Sequence, residues 1–74
     1  MQITVKLFAQ FRNGRFIEQQ RECEPHTKIA SIVQELGIKE PEVGMVMLNG
    51  RHAELTSGLE EGARLAIFPL VGGG

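Results

Sequence analysis

Tryptophan and tyrosine are absent from this 74-residue chain, cysteine occurs once and proline only three times. With Cys23 alone there can be no internal disulfide and no zinc site of the multi-cysteine kind. His26 and His52 lie far apart in sequence, so neither makes a ligand cluster. A reducing, cytoplasmic compartment fits this cysteine usage. The net charge of −1 provides no electrostatic footprint for nucleic acid or an anionic membrane. No apolar run approaches the ~20 residues that span a bilayer. The chain enters a strand pattern at its second residue, so no signal or transit peptide is expected. A length of 74 residues suits one small domain. Such a domain buries only about 60% of its unfolded surface, which demands a regular, economical fold.

What is present is strongly patterned. Ile3, Val5 and Leu7 alternate with Gln2, Thr4 and Lys6, the period of a half-buried strand. Phe8 falls on the polar parity. After a loop with a turn at Asn13-Gly14, a second strand is expected over residues 16–23; its polar Glu18–Glu22 interior suits a sheet edge. Ile29, Ile32, Val33 and Leu36 form one helical stripe, with Thr27 expected as N-cap and Gly37 as the C′ residue. A helix of about ten residues is marginal alone in water, so it needs a sheet to lie on. Residues 38–44 read as a connection and 45–48 as a short apolar strand. Asn49-Gly50 is a strong hairpin signal, with residues 51–54 as the return strand. Residues 55–62 read as a turn-rich link with Leu59 as its apolar plug, and residues 64–68 as the last strand, with Leu65 and Ile67 inward.

The order is β-β-α-β-β-β. The first, third and last strands are the most apolar and belong in the middle of the sheet. First and last, joined through a helix-containing connection, would pair in parallel. This is an α+β fold of the β-grasp (ubiquitin-like) type: a mixed four- to five-stranded sheet with one main helix on one face. The expected division is a domain over residues 1–68 and a C-terminal glycine tail over 69–74.

The chain closes on Phe68-Pro69-Leu70-Val71-Gly72-Gly73-Gly74. A glycine triplet packs nothing and is entropically costly to order. As an arm, Pro69 to Gly74 would reach roughly 20 Å when extended. Without β-carbons near its end, it can enter a channel too narrow for side chains. The group it would present is an α-carboxylate, ionised at neutral pH because its pKa is about 3.3–3.7. An ionised carboxylate is a poor acyl donor and must be activated before it can react.

Three stretches, Leu7-Phe8-Ala9-Gln10-Phe11-Arg12, Leu48-Asn49-Gly50, and residues 59–69 leading into Gly73-Gly74, resemble the small sulfur carriers of the molybdopterin-synthase small-subunit and thiamin sulfur-carrier type. Ala63 stands where that family commonly has aspartate, and Pro69-Leu70 where it often has two prolines. The resemblance implies a carrier that is not itself an enzyme. An E1-like adenylyltransferase (MoeB/ThiF-like) would use ATP to adenylate the Gly74 carboxylate. Sulfur from a persulfide would displace AMP to leave a thiocarboxylate. A synthase, either the molybdopterin synthase large subunit or thiazole synthase, would then accept the tail of Gly72, Gly73 and Gly74. The molybdopterin or tungsten-pterin branch is favoured over thiamin. No bound cofactor or metal is expected.

Phe8 and Phe68, on the non-core parity of adjacent central strands, are expected to form an apolar docking patch, joined by Phe11, Arg12 and Pro69. Two other readings share the fold. A ubiquitin-like modifier would conjugate through Gly74 to lysines of other proteins, and a plain β-grasp binding module would leave the tail idle.

Overall fold

The alternation at the start of the chain does form a strand, and the most apolar segments gather around it. The computed structural model describes residues 1–70. Its elements are β1 (Gln2–Leu7), β2 (Glu18–Glu22), α1 (Ile29–Glu35), β3 (Val43–Leu48), β4 (Arg51–Ala53) and β5 (Arg64–Pro69), with 3₁₀ turns at Ala9–Arg12 and Glu40–Glu42. The five strands form one sheet in the order β2-β1-β5-β3-β4. β1 and β5 pair in parallel and the other neighbours antiparallel. This is the β-grasp arrangement that the sequence pattern implies, with first, third and last strands in the centre and polar β2 at one edge.

The core lies between the inner sheet face and the helix. Ile3, Val5 and Leu7 of β1 and Leu65 and Ile67 of β5 are fully enclosed, together with Ile29, Ile32 and Val33 of α1. Each such side chain contributes about 1.5–3 kcal/mol on burial. Leu59 plugs the link before β5, as expected. No side-chain nitrogen or oxygen buried among the described residues lacks a partner.

The ends of α1 are held differently. At the C-terminus Gly37 adopts φ +76, its N–H donates to Gln34, and the Ile38 N–H donates to Val33. That pair of bonds is a Schellman motif, and it also buries Ile38. At the N-terminus Thr27 is not the cap. Lys28 takes that position, without a side-chain bond. The first helical N–H groups donate instead to loop carbonyls, Ile29 to Ser57 and Ala30 to Leu55. With tertiary acceptors in place, the Thr27 hydroxyl turns back to the Glu24 carbonyl.

Strand limits also move: β2 is confined to Glu18–Glu22 within the expected 16–23, and β4 stops at Ala53, one residue early. β3 begins at Val43, two residues early, because the ladder to β5 absorbs Gly44 as an irregularity between Val43 and Met45. β5 runs one residue past the expected domain boundary. Pro69 pairs opposite Val43 and is buried, at a bulge where the missing N–H is tolerated.

The β3–β4 hairpin turns on Asn49 (φ 53) and Gly50 (φ 82), both left-handed as a type I′ turn requires. Asn49 also fastens the hairpin to β5. Its Oδ1 accepts the Arg64 N–H at 2.9 Å, and its own N–H donates to the Arg64 carbonyl. Asn49→Ala is expected to lower stability by about 2 kcal/mol, from left-handed strain plus the lost bond. Urea unfolding of the variant beside the parent measures this, and an unchanged midpoint would contradict it.

Candidate functional site

The parallel register that pairs Leu7 with Ile67 carries one step further to Phe8 and Phe68. Both follow an inward residue, so both point to the face of the sheet away from α1. Their rings stack with centroids 4.1 Å apart and planes 13° from parallel. Lys6 Nζ lies 5.5 Å and the Arg12 guanidinium 5.4 Å from the centre of the Phe8 ring. A cation at that distance from an aromatic face gains about 0.5–1 kcal/mol at an exposed site.

Phe8 is set up by the turn that follows it. Ala9 adopts φ 52, a left-handed value uncommon for alanine, and opens the 3₁₀ turn Ala9–Arg12. The turn sends Phe11 inward, where it is only 4% exposed in the core. Phe11 therefore does not join the docking patch, contrary to the sequence expectation; the tight turn reverses its direction relative to Phe8. Pro69 is likewise withdrawn, because it shares the inward parity of Leu65 and Ile67 and is buried. Arg12 does meet the patch, half-buried, with Nε donating to the Leu7 carbonyl at 2.7 Å. That bond ties the turn to the end of β1 and holds the guanidinium near Phe8.

The patch extends onto residues that sequence reasoning does not single out. Met45 stands opposite Phe68, and Met47 opposite Ala66, all on the outer parity. Together with Phe8 they make an apolar band across the three central strands, bordered by the cations of Lys6 and Arg12. The methionines are detectable in the sequence as alternating residues of an apolar strand, but their face depends on the β3–β5 register.

β5 delivers the chain to the same end of the sheet. Leu70 is 60% exposed, and its N–H donates to the Glu42 carbonyl at 3.0 Å. Gly72, Gly73 and Gly74, the expected reactive tail, lie outside the described residues. The geometry thus brings together an apolar face with a cationic border and the point from which the C-terminal segment departs. Among the described residues, no group of three or more His, Cys, Asp or Glu side chains is arranged to hold a metal. Among those residues, too, no helix is long and apolar enough to cross a membrane.

Comparison with known proteins agrees with this arrangement. A family model described as the ThiS family matches residues 5–74. Among solved structures, the putative molybdopterin converting factor subunit 1 of Pyrococcus furiosus is 23% identical, with a TM-score of 0.75 over 96% of this chain and 99% of its own. The small archaeal modifier protein 1 of Haloferax volcanii is 21% identical, with a TM-score of 0.75 over 95% of this chain and 98% of its own. A chain of the complex of molybdopterin-converting factor subunits 1 and 2 from Helicobacter pylori provides a third comparison, 21% identical with a TM-score of 0.65 over the full length of both chains. At these identities the structural likeness establishes the shared fold. No curated protein matches the sequence.

The stacked pair has a measurable signature. A double-mutant cycle over Phe8→Leu and Phe68→Leu is expected to give a coupling of about 0.5–1.5 kcal/mol in favour of the parent pair. Additive single effects, read by urea unfolding, would show that the rings do not interact in solution.

Proposed function

Because the chain belongs to the ThiS family, we propose that it is a sulfur carrier whose reactive group is the Gly74 carboxylate. The observation that carries this reading is the family match, which runs through the terminal glycines. The geometry supports it in two ways: the body is a small folded handle, and its last strand ends beside an apolar face suited to docking.

The chemistry belongs to the partner enzymes. In the site of an E1-like adenylyltransferase, a Gly74 carboxylate oxygen attacks the α-phosphorus of ATP and pyrophosphate leaves. The acyl adenylate has AMP as a good leaving group. The terminal sulfur of a persulfide attacks the carbonyl carbon and AMP departs. A thiol then cleaves the resulting acyl disulfide, leaving the thiocarboxylate on Gly74 and a disulfide on the donor. What this chain contributes is binding and presentation. Phe8, Phe68 and Met45 offer apolar area to the partner, while Lys6 and Arg12 suit carboxylates on the partner's rim. Gly72 and Gly73 have no side chains to obstruct a narrow channel.

The downstream acceptor favoured here is the large subunit of molybdopterin synthase, with thiazole synthase second. The fold shared with a chain of a two-subunit molybdopterin-converting factor complex supports that order. A second reading has its own support in the likeness to small archaeal modifier protein 1. On that reading the activated Gly74 is passed to lysine amines of other proteins. Both readings share the adenylation step.

The deciding experiment is the intact mass of the chain after incubation with ATP, a sulfide source and the activating enzyme of its host. The expected result is a gain equal to one oxygen replaced by one sulfur, absent when Gly74 is deleted. An unchanged mass, with an enzyme shown to load another carrier, would overturn the sulfur-carrier reading. Lysines of other proteins bearing the tail would favour the modifier.

A further inference from the structure

We propose that Gly44 is a positioning residue for the C-terminal segment: the irregularity it makes in β3 clears the path by which Pro69 and Leu70 leave the sheet, and so aims the tail. The inference rests on the carrier reading above.

Gly44 is exposed, and its backbone does not require glycine, because its φ is not among the left-handed ones. What it requires is space. A β-carbon at Gly44 would lie 2.7 Å from the Pro69 carbonyl oxygen, 2.9 Å from the Pro69 carbonyl carbon and 3.0 Å from Leu70 Cα. All three are backbone atoms, so no side-chain rotation relieves the clash. Gly58, also free of left-handed φ, has nothing within 4 Å of a β-carbon, so close approach is not general to glycines of this chain.

The same short segment also holds the departing chain by a bond, since the Glu42 carbonyl accepts the Leu70 N–H. Glu42 and Gly44 therefore both adjoin the Pro69–Leu70 backbone from the β3 side, one holding it by a hydrogen bond and the other leaving it room. Leu70 lies four residues before Gly74. Four residues reach at most roughly 14 Å, so the place where the chain leaves Leu70 bounds where the Gly74 carboxylate can be presented. Misplacing a reacting group by only about 1 Å can cost about a hundredfold in rate. An alanine at position 44 has its methyl at the surface end of the ladder, where moving Pro69 and Leu70 is easier than moving the core.

The test compares the full chain with Gly44→Ala and Gly58→Ala. The readouts are urea unfolding, amide chemical shifts, and steady-state ATP–pyrophosphate exchange by an E1-like adenylyltransferase. Gly44→Ala is expected to unfold cooperatively, with amide shift changes confined to residues 42–44 and 70, so that Met45 and Phe68 keep their parental signals. Its KM as a substrate should stay within about twofold, because the Phe8–Phe68 face is untouched, while kcat falls about tenfold or more. Gly58→Ala should match the parent throughout. Parental kcat for Gly44→Ala would overturn this inference alone. Loss of cooperative unfolding would overturn it too, by showing that the glycine serves the sheet and not the tail. Failure of the parent chain itself to support exchange, with an enzyme active on another carrier, would overturn the carrier reading and this inference with it.

Discussion

The parallel pairing of β1 with β5 is the constraint on which the rest of this molecule depends. It joins the first and last strands at the centre of the sheet, a pairing that only a long, helix-containing connection permits. In its register Val5 meets Leu65 and Leu7 meets Ile67, so four core side chains line up beneath α1. One residue further, the same register brings Phe8 beside Phe68 on the opposite face. A slip of one residue would expose the inward set and bury the outward one. Burial of the inward face therefore enforces the geometry of the outward face.

That coupling suits the proposed carrier role, in which a folded body would present its C-terminus to partner enzymes. The inner face and helix supply rigidity, while the outer face stays apolar where β1, β5 and β3 run together. Its cationic border is itself tied to the backbone, since Arg12 bonds to the last carbonyl of β1. β5 takes part in each element of this arrangement: its inward residues fill the core, Phe68 lies on the apolar outer face, and its end leads into Leu70. An isolated tail would be accessible but undirected. Leu70, bonded to Glu42 and passing close to Gly44, gives that segment a defined starting point relative to the apolar outer face.

Much of this is legible in the sequence because local patterns and global fold agree. The alternation in β1, the stripe of α1, the glycine that ends it and the Asn49-Gly50 turn are all short-range signals, and each appears where its residues stand. The departures from expectation share a different character. Thr27 has the chemistry of a cap, but carbonyls from residues 55 and 57 reach the helix first. Phe11 has the composition of a companion to Phe8, but the left-handed Ala9 and the turn after it drive the ring into the core. Pro69 resembles the start of a tail, yet it completes β5 opposite a bulge. The alternation of Met45 and Met47 marks an apolar strand without naming its face, and Gly44 resembles part of a loop. Except at Phe11, where the local turn decides, a partner distant in sequence makes the decision.

The sequence by itself determined the element types, the polar edge strand, the inward set of β1 and β5, and the kinship carried by the terminal motif. These follow from periodicities of two and 3.6 residues and from glycine and turn chemistry, which act over a few neighbouring positions. Only the tertiary structure decided which apolar residues meet on the outer face, where the helix finds its N-terminal acceptors, and how closely the Pro69–Leu70 backbone passes Gly44. Those outcomes depend on strand register and on close approach of backbone from separate elements. Neither is encoded in any single stretch of the chain.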